Sequence, residues 1–481
     1  MKFQVYRLFV FGLIVFSIVL IAMTGNLYSG SIQSASAAPR SAPYSLYLPI
    51  INRNYRYVAS TVFGTGLEGI SSSYGLNQMA DAGANWVRSN NILSWASVEP
   101  AETLRLWNTQ AGLEQELQNA ASSGVKVILV VRQTPSWAQE LSGYTCGPIL
   151  SDKFGAFANF MHDAALRYSA PPFNVKYWEI WNEPDVDYRL VSPTSDIGCW
   201  GNQDDVDGLY GGGYYGWMLQ SVYPQIKAAD PQAQVLVGGL LLDCDPNNPP
   251  LGKDCTPSKF LKGILANNGG PYFDGVSFHA YDYYGSALGN FGNSNWNSAW
   301  NGTGPSVNAK ANFLKGVLSA YGFSNKFLMN TESALLCDSC ASDSTFETTK
   351  AYFLVQEYTG GIAQGLRANL WYTALGWRNS GLLNPDLSPR TAYVAYKFAR
   401  QEILDSTFVA NIGSLDVGTS GVAGYKFNRG DRLVWVLWSH DGATHTMSLS
   451  GVPYAAWDAL GASLTRSSSM TVDLKPIYLE W

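Results

Sequence analysis

The chain has 481 residues, 46% of them hydrophobic, which is enough for one large core with a smaller unit beside it. Its formal net charge is −6 and it has no basic run, which argues against nucleic acid or an anionic membrane as a partner. The 16 Trp and 28 Tyr point instead toward carbohydrate, because aromatic rings stack on the apolar faces of sugars as well as filling cores.

Lys2 and Arg7 precede an apolar segment, Leu8 to Met23, and Ala35-Ser36-Ala37 offers a small-x-small cleavage site. Residues 1–37 therefore read as an export signal, with an uncleaved anchor as the alternative, and the expected location is extracellular or cell-surface. The apolar segment is shorter than the ~20 residues of a spanning helix, and no later segment suits a membrane. Residues 38–56 lack a period and read as a linker.

From 57 to 404 strand-like and helix-like patterns alternate. The expected strands are "YVASTVFG", "NWVRS", "VKVILVVR", "VKYWEIW", "AQVLVGG", "GVSFHA", "KFLMNTE" and "ANLWYTA". Helical patterns such as "TQAGLEQELQNAASSG", "KFGAFANFMHDAALRYS" and "TTKAYFLVQEYTGGIAQG" lie between them, and "SPRTAYVAYKFARQEIL" comes last. This order predicts an α/β fold, a (β/α)₈ TIM barrel. Residues 405–481 change to short strands, with "NRGDR" as a hairpin turn, and read as a small β-sandwich.

Six cysteines suit an exported protein and allow fifteen pairings. Pairing in chain order, Cys146–Cys199, Cys244–Cys255 and Cys337–Cys340, would clip three loops. "CDSC" could also be half a zinc site or a redox motif, but with four His and no second C-x-x-C a structural disulfide is the simpler reading. "GTGLEG", Gly64 to Gly69, matches the dinucleotide fingerprint, yet the next strand ends at "NWVRSNN" without the acid that would hold a ribose. No cofactor is expected.

A parallel barrel places its active site where strands end. "WNEP" closes the fourth strand with Asn182, Glu183 and Pro184, and Glu332 directly follows the seventh in "FLMNTES". Two carboxyls facing each other across a barrel mouth are the requirement of glycoside hydrolysis, one held protonated by burial and neighbouring charge, the other ionised.

Here the sequence resembles the clan A retaining glycoside hydrolases. "NWVRS" with "WASVEP", "TPSWA", "FHAY" and "LWYTALGW" extend the match across Tyr57 to Leu404. The wording is most like family 39, with family 5 as the runner-up. The resemblance implies Glu183 as acid/base and Glu332 as nucleophile. It implies that Asn182 reads the sugar 2-hydroxyl, Arg88 holds Glu332 ionised and Tyr281 hydrogen-bonds it. His279 would line the site beside Asn182, and Trp371 would floor the central subsite. Trp137 joins the substrate-binding set, and Trp95, Trp181, Trp377, Tyr283 and Tyr284 are further candidate platforms. Each has a structural alternative: a helix cap for Glu332, a barrel salt bridge for Arg88, core packing for the aromatics and His279. Glu179 reads as a buried carboxylate paired with Arg88 or Arg132.

The expected activity is β-glycosidic cleavage of a polysaccharide or oligosaccharide, with a slight preference for endo action, by a monomer. The alternatives are an exo-acting β-glycosidase such as a β-xylosidase, an inactive sugar-binding barrel, and a metal-dependent hydrolase. The last would need His-rich strand ends, and only His279 sits at one.

Overall fold

The strand Lys126–Arg132 is apolar on both faces from Val127 to Val131 and ends in Lys126 and Arg132, the pattern of a parallel strand covered on each side. Seven more such segments join it in the structure, a computed structural model that describes residues 62–481. The export signal, the linker and the start of the first expected strand lie outside the described residues.

The barrel strands are β1 (Phe63–Leu67), β2 (Trp86–Ser89), β3 (Lys126–Arg132), β4 (Tyr177–Asn182), β5 (Gln234–Leu240), β6 (Gly275–Tyr284), β7 (Phe327–Leu336) and β8 (Ala368–Trp371). Each pairs in parallel with the next, and β8 pairs back onto β1, so the sheet closes. After them come α1 (Leu76–Asp81), α2 (Ala111–Ser122), α3 (Phe154–Tyr168), α4 (Gly212–Ala229), α5 (Phe260–Ala266), α6 (Ser306–Ala320), α7 (Ser344–Ala363) and α8 (Thr391–Glu402). α3 shows why they cover the barrel: Phe157, Phe160, Met161, Ala164 and Tyr168 recur at helical spacing and are fully buried. Among the described residues no helix is long and apolar enough to cross a membrane.

Two expectations shift. "GTGLEG" does not follow a strand. β1 runs through it, and a Cβ on Gly64 would meet Leu370 and Trp86 at 2.7–2.8 Å, so this glycine serves close strand packing. β7 does not stop before Glu332 but continues to Leu336 across a register shift.

After α8, strands β9 (Thr407–Asn411), β10 (Val422–Arg429), β11 (Arg432–Ser439), β12 (His445–Ser448), β13 (Ala455–Asp458), β14 (Ser469–Val472) and β15 (Ile477–Glu480) follow. They form a five-stranded sheet, β9-β10-β11-β15-β13, and a two-stranded one, β12-β14, all antiparallel. Alternation along β11 divides its residues: Val434, Val436 and Trp438 join the barrel core, while Trp435 and Leu437 pack toward Met447, Met470 and Val472 of the smaller sheet. β9 is mostly exposed, and β13, "AAWD", offers few strand-forming residues to mark it in the sequence.

The three disulfides form in chain order, with Cα separations of 5.5, 5.2 and 5.6 Å. Cys146–Cys199 ties the loop after β3 to the loop after β4, and Cys244–Cys255 closes the loop after β5. The long loop after β6 carries no disulfide; it folds back as two short strands, Phe291–Asn293 and Ser298–Ala299.

Candidate active site

A strand normally turns alternate side chains inward, and β2 does so: Trp86 lies in the lower lumen and Arg88, two residues on, at the mouth. β4 breaks this rule. Glu179 points into the lumen at Arg88, but Trp181 adopts φ = 73° and packs outward on Phe157 and Trp200. The break turns Asn182 into the cavity. Glu183, at φ = 46°, follows it, anchored by its N–H to the Gly239 carbonyl at 2.9 Å. On β7 the register shift after Asn330 does the same for Glu332, because Asn330 faces outward to Glu357 and Asn369 while Glu332 faces the mouth.

Arg88 is the hub. Its Nη1 donates to Glu332 at 2.6 Å, its Nη2 to Glu179 at 2.8 Å and to the Asn182 side-chain oxygen at 2.7 Å. Burial opposes the guanidinium charge, but Glu179 and Glu332 outweigh it and raise its pKa. Tyr281 donates its hydroxyl to the other Glu332 oxygen. Burial pushes Glu332 up, yet His279, Arg88 and the Tyr281 hydrogen bond bring it below the usual carboxylate range, so it is an anion at neutral pH.

His279 Nδ1 lies 2.7 Å from Glu183 and 3.5 Å from Glu332. Burial disfavours its imidazolium, and the two carboxylates together raise its pKa above the ordinary value. A Cβ on Gly239 would stand 2.2 Å from His279 Nε2, so only glycine leaves the ring its place. One donor atom from each of Glu183, His279 and Glu332 lies within 4.8 Å of the others, close enough to hold a cation. Both Glu332 oxygens already accept hydrogen bonds, however, and a guanidinium stands 2.6 Å away. The chemistry of this donor set is that of a site for protons.

These groups open into a cavity of about 360 Å³ at the C-terminal mouth. Arg88, Asn182, Glu183, Tyr281 and Glu332 line it, whereas His279, expected to line the site beside Asn182, sits fully buried behind Glu183, held there by its contact with that carboxyl. Several expected aromatic residues are elsewhere. Trp371 does not floor the cavity: it is 0% exposed, turned outward on β8 against Phe353, with its Nε1 bonded to the Ser380 carbonyl. Trp137 packs edge-on against Trp95 and donates to the Glu99 carbonyl, because the short helix Ser136–Ala138 turns it away from the mouth. Trp95 and Trp181 are buried as well, and Tyr284 packs on Phe346. Trp377 does line the cavity, and Tyr283 is half exposed.

The cavity wall also holds Tyr372, Asn90, Arg132 and Asp196, none of them expected there. Tyr372 follows by alternation, two residues past Leu370, once the structure shows Leu370 facing inward. Asp196 carried no signal, since the loop after β4 brings it to Arg132.

Neither a family model nor a curated protein matches the sequence. Solved structures do match its fold. A family 39 glycoside hydrolase from Bacteroides cellulosilyticus WH2 is 18% identical with a TM-score of 0.63, covering 87% of this chain and 80% of its own. A family 30 endoxylanase from Clostridium papyrosolvens C71 is 14% identical with a TM-score of 0.55, covering 87% and 96%. The family 51 α-L-arabinofuranosidase AbfB from Bifidobacterium longum is 12% identical with a TM-score of 0.57, covering 88% and 96%. These three neighbours are glycoside hydrolases, one of them of family 39, and at these identities the likeness establishes the fold alone.

Proposed function

We propose that the chain is an exported glycoside hydrolase that cleaves β-glycosidic bonds of a polysaccharide or oligosaccharide by double displacement. The observation that carries this reading is a pair of carboxyl groups at the barrel mouth, one oxygen of each lying within 4.8 Å of one of the other, in unlike surroundings. So close an approach of two oxygens favours the ~5–5.5 Å carboxyl spacing of retaining enzymes over the ~6.5–9.5 Å that an inverting enzyme keeps for its water.

Glu332, held ionised, attacks the anomeric carbon while Glu183 gives its proton to the departing oxygen. Glu183 then takes a proton from water, which attacks the same carbon and releases Glu332. Asn182 spends its side-chain oxygen on Arg88 and one amide hydrogen on the Asp196 carbonyl, leaving the other hydrogen for a sugar 2-hydroxyl. All these groups come from one chain, so a monomer suffices, and the chemistry draws on no cofactor. Three disulfides support an oxidising, extracellular setting.

At the cavity's edge, Arg378 lies against the half-exposed rings of Trp377, which lines the cavity, and Tyr283, at 5.2 and 5.6 Å. A ledge of this kind can support a second sugar ring, which favours endo over exo action. The test of the whole reading is Glu332→Gly. It should abolish turnover of an activated aryl β-glycoside, and added azide should restore it with the α-glycosyl azide as product. Full activity in that variant would remove the nucleophile and the reading with it.

A further inference from the structure

Behind the Glu183–His279 pair lie two buried charges that the chemistry above does not use. Asp185, two residues past Glu183, accepts the N–H groups of Leu241 and Leu242 at 2.9 and 2.8 Å. From the other side Lys310, on α6, donates its ammonium to the Leu241 carbonyl at 2.6 Å and to the His279 carbonyl at 2.7 Å. One short turn after β5 is thus gripped by a carboxylate and an ammonium, and the ammonium also fixes the backbone of the histidine facing Glu183. Asp185 is 1% exposed and Lys310 4%, and neither makes a direct ion pair among the described residues.

A buried charge without an ion-pair partner is costly, and backbone groups alone rarely justify it. We propose that Asp185 and Lys310 are positioning residues that hold the Glu183–His279 pair in place and set, with opposite signs, how tightly Glu183 keeps its proton. The inference rests on Glu183 being the acid/base.

The surroundings fit. Lys310 faces Asp185, Glu183, Asp282 and Asp243, and burial lowers its pKa to about 8 against all four. Asp282 is satisfied by Ser298 and Ser306, and Asp243 by Ser258, so both have partners of their own. Burial raises Asp185 to about 7; the two N–H bonds oppose the rise and Glu183 adds to it. Tyr210 is the other titratable group near Asp185. Glu183 itself faces His279 and Tyr281 from β6 and Glu332 from β7. Within this set the positive Lys310 favours a Glu183 anion and the negative Asp185 disfavours it.

The experiment is the pH profile of kcat/KM on an aryl β-glycoside with a poor leaving group, whose basic limb reports the acid. Lys310→Met should move that limb up by about one pH unit and Asp185→Asn should move it down by about as much. The double variant should return close to wild type, and Lys310→Arg, which keeps the charge, should shift it little. Damage to packing alone would lower activity without opposite displacements. Movement of both limbs in one direction, or of neither, overturns the proposal. Should Lys310→Met fail to fold by circular dichroism, Lys310→Gln and Asp185→Asn decide the matter by the same signs. Glu183→Ala serves as the control. If it keeps the basic limb, the function proposed above falls; if it loses the limb and the pair still fails to diverge, only the present inference falls.

Discussion

The barrel lumen has two levels built from the same strands. At the lower level Trp86, Ile128, Leu236, Met329 and Leu370 meet in an apolar plug, each placed by ordinary two-residue alternation. At the mouth Arg88 on β2 and Tyr372 just past β8 continue that alternation, while β4 and β7 abandon it, one through Trp181 at φ = 73° and the other through a register shift. The lower level is cheap for the chain to make, since any well-filled set of apolar side chains would serve. The upper level stores backbone strain of about 1–3 kcal/mol per left-handed residue, and what it gains is a carboxylate on each of two strands aimed at one point. Regularity in this molecule carries stability, and irregularity carries the site.

The largest expected break in that division is at Arg88, which stands on a regular strand but bonds both irregular ones. Arg88→Met strands the buried Glu179 and frees Asn182 and Glu332. We expect kcat/KM to fall by roughly 10³-fold, with a loss of about 3–5 kcal/mol in denaturant unfolding. Arg88→Lys should rescue little, because one ammonium cannot reproduce the planar fork that meets three partners. An Arg88→Lys enzyme with near wild-type kcat/KM would mean that charge alone is needed there.

The next effect lies at the lower level and should be one-sided. Leu236→Ala opens a cavity in the plug and should cost about 2–5 kcal/mol of stability, read from the urea midpoint. Turnover per folded molecule should stay within about twofold of wild type, since no catalytic group touches that layer. A large drop in kcat with intact folding would show that the two levels are mechanically coupled.

The same division explains what could be read beforehand. The eight barrel strands and the two carboxylates were legible because apolar runs and the Asn-Glu-Pro ending survive any local irregularity. Trp371 and Trp137 were misplaced for different reasons. Trp371 is one residue from the cavity-lining Tyr372, and a short strand's inward parity is fixed by its neighbours, here Leu370 in the plug. Trp137 depends on a one-turn helix whose direction no local pattern dictates. Asp185 and Lys310 are 125 residues apart by number and meet through a turn that neither belongs to, so no spacing marks them as one unit.

The smallest predicted effect lies away from both levels, where α8 meets the C-terminal sheet. Glu402 and Glu480 are both buried there and share a hydrogen bond, flanked by Arg429 and Arg432 with the Tyr478 ring beside them. Burial first, then the bond and the charge of Glu480, raise Glu402 to about 7, while Glu480 is held below its usual value despite its own burial. A carboxyl whose folded pKa lies above its unfolded one, near 4.5, binds its proton more tightly when folded. Its contribution is therefore full below about pH 4.5 and is lost as pH rises toward 7, where two carboxylates come to face each other. We expect the melting temperature to lose about 2 °C across that window in wild type through this pair. Glu402→Gln, always neutral and still able to donate to Glu480, should remove that slope while leaving the pH profile of turnover in place. A changed turnover profile would tie the sheet to the mouth and erase the separation between stability and chemistry; an unchanged melting slope would mean that the flanking arginines already compensate both charges.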